Sequence, residues 1–163
     1  MTSTTPTHAT GFTPKKLYLV LSIAEAITWT LLITGLIVRA TSGIEAWLLT
    51  TIGGLHGFVF ISYGATAILV SINQRWHPAV ALLAVVTAII PYATIPFDII
   101  QSKRGALEGA WRLEETDDPR DKHWFDRFVR WFLNRPVLLI GALIVAVVLI
   151  FTILLILGPP GGK

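Results

Sequence analysis

The chain has 163 residues, 53% of them hydrophobic and 14% charged, with 13 Lys and Arg against 10 Asp and Glu and no cysteine. A soluble domain carries about 25% charged residues, so an ordinary soluble fold is excluded, and the lack of cysteine removes disulfides, thiolate metal sites and cysteine nucleophiles. The net charge of +3 comes from basic residues beside apolar runs. Membrane orientation accounts for them there, and nucleic acid is not indicated.

Residues 1–14 read as a flexible, Thr-rich tail without the apolar core of a signal peptide. Residues 15–103 read as a three-helix membrane core, since a span needs about 20 apolar residues and the runs 17–38, 46–72 and 79–100 supply them. In the first run Ser22, Glu25, Thr28 and Trp29 recur at helical spacing, which predicts a bundle-facing stripe. Arg39 closes that helix and Thr41-Ser42-Gly43 makes a short turn. The second run holds His56 among glycines. Gly53 and Gly57 are four apart and predict close approach of a neighbouring helix. Pro78 suits the first turn of the next helix. Pro91 and Pro96 predict kinks within the third span, and Asp98 near Lys103 and Arg104 reads as a headgroup-level ion pair.

Residues 104–135 read as a cytoplasmic loop with an amphipathic helix at 121–133. Trp124, Phe125, Phe128, Trp131 and Phe132 line one side of that helix, with Lys122, Asp126, Arg127 and Arg130 on the other. The pattern fits a membrane-surface helix, aromatic toward acyl chains and basic toward headgroups, and a partner-docking helix would show it too. Residues 136–157 make a fourth span, apolar all round apart from Thr152, and 158–163 a tail. The fold class expected is all-α: a polytopic membrane bundle of four transmembrane helices plus one interfacial helix. Four spans put both termini on one side. Nine Lys and Arg then flank the loop side and four the other, which predicts extracytoplasmic termini and a cytoplasmic loop 101–135.

Glu25 and His56 are the ionisable groups deep in these spans. A hydrogen bond between them is expected, because the first two helices pack antiparallel, with Thr28, Tyr63 and Tyr92 extending a buried polar network. Three roles stay open: helix-to-helix glue, a proton relay or ion site, and polar contact with a lipid or another subunit. One His and one Glu fall short of a metal ligand set, a single intramembrane His disfavours bis-histidine haem, and no catalytic motif is present. No enzyme activity, cofactor or metal is expected.

Glu25 in the first span, His56-Gly57-Phe58 in the second, and Ile90-Pro91-Tyr92 with Phe97-Asp98 in the third resemble a family of small actinobacterial and firmicute integral membrane proteins catalogued as a domain of unknown function. The likeness covers about 17–103 and implies a three-helix core without an established activity. Glu25-Ala26 stands where Glu-Gly is expected. Two functions fit: an accessory or scaffold subunit of a larger membrane assembly, such as a respiratory supercomplex, or a small transporter or proton-conducting protein using Glu25 and His56. The partners expected are the lipid bilayer and either other membrane subunits or further copies of the chain.

Overall fold

A computed structural model describes residues 13–158. The expected tail lies outside the described residues apart from Thr13 and Pro14, and only Gly158 of the C-terminal tail falls within them. The described chain folds as α1 (Pro14–Thr41), α2 (Ala46–Asn73), α3 (Pro78–Thr87), α4 (Thr94–Lys103), a 3-10 turn (Pro119–Lys122), α5 (Trp124–Leu133) and α6 (Pro136–Leu157). It is a helical membrane bundle, and α1, α2 and α6 are long and apolar enough to cross a bilayer.

Local chemistry sets the helix ends. Thr13 Oγ1 accepts from the Lys16 amide at 3.2 Å and Pro14 fills the first turn of α1, where its missing N–H costs nothing. Gly43, at φ +79°, closes the other end, as a residue in the left-handed region commonly does. His77 Nδ1 accepts from the Ala79 amide at 3.3 Å, with Pro78 opening α3.

The third span differs from its expected form. Residues 79–100 are not one kinked helix but two ten-residue helices, α3 and α4, joined by turns through 88–93. Each is about 15 Å long, half of what a span needs. Pro91 lies in the connecting turns, and Pro96 sits in the first turn of α4, where no helical donor is lost. The hairpin enters beside α1 and α2 and returns to the end it left. Ala84 and Ala88 of the descending arm meet Tyr63 and Trp29, and Thr94 and Asp98 of the ascending arm meet Glu25 and Ser22. Its tip lies level with Thr30, about 24 Å below Pro14 at 1.5 Å per residue.

The expected arrangement of the ends changes accordingly. Lys15 pairs with Glu108, Arg75 with Asp118 and Asp121, and Asn73 Nδ2 donates to the Ala110 carbonyl at 3.1 Å. The 104–123 segment therefore sits at the same end as the start of α1, not opposite it. From there α6 runs back antiparallel to α2, with Leu139 near Leu69 at one end and Phe151 against Phe58 further along. Thr13 and Gly158 lie at opposite ends of the bundle, so the expectation of both termini on one side does not hold for the described chain.

The main core gathers Tyr18, Tyr63, Ala67, Val70, Ala84, Ala88, Phe97 and Leu107. Leu69, Val129 and Leu133 form a second cluster that fastens α5 to the bundle. In α6 only Val147 is buried.

Candidate functional site

From Tyr18 to Thr30, α1 makes a series of polar ties. The Tyr18 hydroxyl bonds the Tyr63 hydroxyl at 2.8 Å, and Tyr63 also donates to the Ala84 carbonyl at 3.2 Å. Ser22 Oγ donates to Asp98 Oδ2. Thr94 Oγ1 donates to Glu25 Oε2 at 3.2 Å. Thr28 Oγ1 meets His56 Nδ1 at 3.1 Å, while the Trp29 indole donates to the Ala88 carbonyl at 3.2 Å. Thr30 Oγ1 lies 3.1 Å from the Tyr92 hydroxyl. The stripe expected from Ser22, Glu25, Thr28 and Trp29 is thus the face against which α2 and the hairpin pack.

Glu25, His56, Thr28 and Tyr63 are all buried, but Glu25 and His56 are bonded to different partners. Glu25 bonds to α4. His56 bonds to Thr28 and lies against the Trp29 ring, centroids 4.4 Å apart. Tyr92 is 39% exposed at the hairpin tip and joins the network only through Thr30.

Asp98 is a residue that sequence reasoning misplaced. It is 7% exposed, and among the described residues its hydrogen bond is to Ser22 rather than an ion pair with Lys103 or Arg104. Because α4 starts at Thr94, Asp98 lies one turn in, on the face shared with Thr94. That i, i+4 spacing was the available signal. Glu25 Oε1 and Asp98 Oδ1 are buried without hydrogen-bond partners, and none of the ion pairs among the described residues involves either side chain.

The glycines separate by position. A Cβ on Gly57 would touch the Phe151 ring of α6 at 3.4 Å, whereas one on Gly53 would meet nothing within 4 Å. The close approach at Gly57 is a ring, not a backbone.

A second cluster forms at the end of the bundle bearing the 104–123 segment. Asp121, 1% exposed, accepts from the Thr116 amide at 2.9 Å and hydroxyl at 2.5 Å, and pairs with Arg75, with Arg112 at 3.4 Å and with Arg130 at 3.7 Å. Arg112 also binds Asp126 at 3.1 Å and donates to the carbonyls of Ile72 and Asn73 at 2.8 and 2.6 Å. The Thr116 donors, then Arg75 and Arg130, hold the Asp121 carboxyl below its usual range. Asp118 is lowered chiefly by hydrogen bonds from Arg120. The clasp holds Arg75 at φ 54°, a left-handed backbone costing a side-chain-bearing residue about 1–2 kcal/mol.

The clasp also changes the reading of α5. Asp126 and Arg130 turn inward to it, Val129 and Leu133 bury against α2 and α6, and Trp124, Arg127, Phe128 and Trp131 together face outward. Phe125 lines a groove with Ile68, Ile72 and Leu82, and Phe132 stacks edge-on to Phe128 and Trp131. Lys122 belongs to the preceding 3-10 turn. The expected polar face is therefore split: Asp126 and Arg130 turn inward, while Arg127 faces outward with the aromatics.

Residues 15–103 match the profile of a family described as "Domain of unknown function (DUF3817)". The chain is also similar to a Streptomyces coelicolor protein named "Putative membrane protein", with 31% identity over 100 residues. The match takes in 61% of this chain and 11% of that protein, so the chain spans about one-ninth of its relative's length. No solved structure matches. The family match covers α1, α2 and the whole hairpin, more than half of the chain, and the chain belongs to the DUF3817 family.

Proposed function

We propose that this protein is a non-catalytic accessory or scaffold subunit of a larger bacterial plasma-membrane assembly. The observation that carries the reading is the hairpin tip. Turns 88–93 lie deep alongside α1, yet Ile89 and Ile90 are 60% and 57% exposed and Tyr92 adopts φ 63°. Irregular backbone at membrane depth is tolerated only against protein or a wet cavity, so helices of other subunits are expected to cover the tip. Purification in mild detergent with mass spectrometry of co-eluting chains tests this, together with cross-linking from an Ile90→Cys variant. Stoichiometric partners cross-linked at residue 90 are expected, and cytochromes among them would make the assembly respiratory. A solitary monomer without a residue-90 adduct would end the reading.

The same proposal gives three crossings, with the start of α1 and the 104–123 segment cytoplasmic. Lys15, Lys16, Arg75 and the eight basic residues of 101–135 gather at that end, against Arg39 at the other among the described residues. This distribution follows the positive-inside rule.

A second reading, proton conduction, draws on Glu25 and Asp98 rather than on a Glu25–His56 pair. Each leaves one buried oxygen open to a proton or small cation, and an intramembrane carboxyl is a functional candidate by default. Proton flux into liposomes that Glu25→Gln and Asp98→Asn abolish would favour it, and background flux in the wild type would remove it.

A further inference from the structure

The outward face of α5 has a charge that nothing among the described residues neutralises. Arg75, Arg112, Arg120 and Arg130 bind carboxylates, and the Arg135 guanidinium lies 4.3 Å over the Trp131 ring. Arg127 has no hydrogen-bond or ion-pair partner among the described residues. With Trp124, Phe128 and Trp131 it lines an open hollow of about 510 Å³. Those three aromatics are 65%, 53% and 46% exposed, and the nearest acid on the helix, Asp126, points away to Arg112.

Position fixes what such a surface meets. After a connection of two residues Pro136 opens α6, and the cluster that holds Val129 and Leu133 packs with Leu139 and Leu143 of that span. The hollow thus sits where an apolar span enters the bilayer, the level at which tryptophan concentrates. A guanidinium there matches a phosphate with two parallel hydrogen bonds, and the aromatic walls suit the glycerol and first methylenes below it.

We propose that Arg127, between Trp124 and Trp131, is the headgroup site of an anionic phospholipid. The positive charge and the absence of a carboxylate on this face favour a net-negative lipid over a zwitterionic one. The site does not depend on the accessory-subunit reading, since the lipid is bound by the isolated chain.

The test is native mass spectrometry of the delipidated full chain with added phosphatidylglycerol or phosphatidylcholine. Wild type should retain phosphatidylglycerol preferentially. Arg127→Gln should lower that retention about fivefold, the value of one basic residue at a membrane surface, and Arg127→Lys should keep most of it. Equal retention of the two lipids by wild type, or undiminished phosphatidylglycerol binding by Arg127→Gln, would overturn the site. The latter is also the result expected if the face docks a protein. A photoactivatable phosphatidylglycerol gives a reading on wild type alone. Adducts should map to 124–131, and adducts only elsewhere would count against the proposal.

Discussion

The Trp76 indole donates to the carbonyl of Ala106 at 2.7 Å. Thirty residues separate the two, and within them the chain descends α3, turns at 88–93 and climbs α4 to the level it left. This contact brings residue 106 back to the end of the bundle that residue 76 occupies, whereas a third full-length helix would place it at the far end.

Cysteine labelling checks that arrangement, since the chain has none of its own. In intact cells an impermeant maleimide should label Ser42→Cys, in the α1–α2 turn, and leave Lys16→Cys and Thr116→Cys unlabelled until the membrane is opened. Labelling of Thr116→Cys with Ser42→Cys protected would invert the orientation. Labelling Lys16→Cys and Thr116→Cys on different sides would overturn the hairpin.

Acid should release the clasp. Asp121 and Asp118 titrate below the usual carboxylate range in the folded chain, so their contribution to stability is full above about pH 4, where the unfolded groups are ionised. It falls as pH drops through the lower folded values. Hydrogen exchange across 106–123 should be flat from pH 7 to about 5 after correction for intrinsic rates, and should rise below about 4. Asp121→Asn should lower the melting temperature at pH 7 by a few degrees and flatten the acid response.

Gly57 and Gly53 should behave differently although the sequence pairs them. Gly57→Leu pushes into Phe151 and should weaken the docking of α6, lowering thermal stability by about 1–3 kcal/mol, the usual cost of overpacking. Gly53→Leu points into open space and should stay within about 0.5 kcal/mol of wild type. Thermal unfolding in detergent separates them.

Removing one hydroxyl should be felt at each polar tie of α1. Thr94→Val leaves Glu25 Oε2 without its donor, and Thr28→Val leaves His56 Nδ1 without its hydroxyl partner. A loss of about 1–3 kcal/mol each is expected for a buried group left unsatisfied. Thr50→Val, whose hydroxyl donates to the Ala46 carbonyl of its own helix at 2.9 Å, is the control and should change little.

Much of this was written in local pattern. Thr13-Pro14 and His77-Pro78 mark helix starts, and Ser22, Glu25, Thr28 and Trp29 repeat at the helical period that places them inward. The hairpin was hidden because its tip is built from Ile89 and Ile90. Hydropathy summed over such a turn stays high, and two short helices add up to one apparent span. The two prolines within six residues were the surviving clue, and they fit a turn and a first helical turn better than two kinks. Asp98 then moved with the topology: at the end of a span it faces headgroups, but one turn into a returning helix it faces Ser22. On α5, Asp126 and Arg130 look solvated until Arg112 and Asp121 arrive from elsewhere in the chain, and periodicity within α5 cannot register partners from another segment.

The short arms of the hairpin also constrain how the protein is made. A ten-residue apolar helix is too brief to cross a bilayer during synthesis, and α4 carries Asp98 and Gln101 besides. Neither arm can enter the membrane as an independent unit. The hairpin must sink between helices already inserted, drawn in as Ser22 and Glu25 of α1 meet Asp98 and Thr94, so its burial is a late folding step that follows insertion of α1 and α2 and depends on the polar face α1 presents.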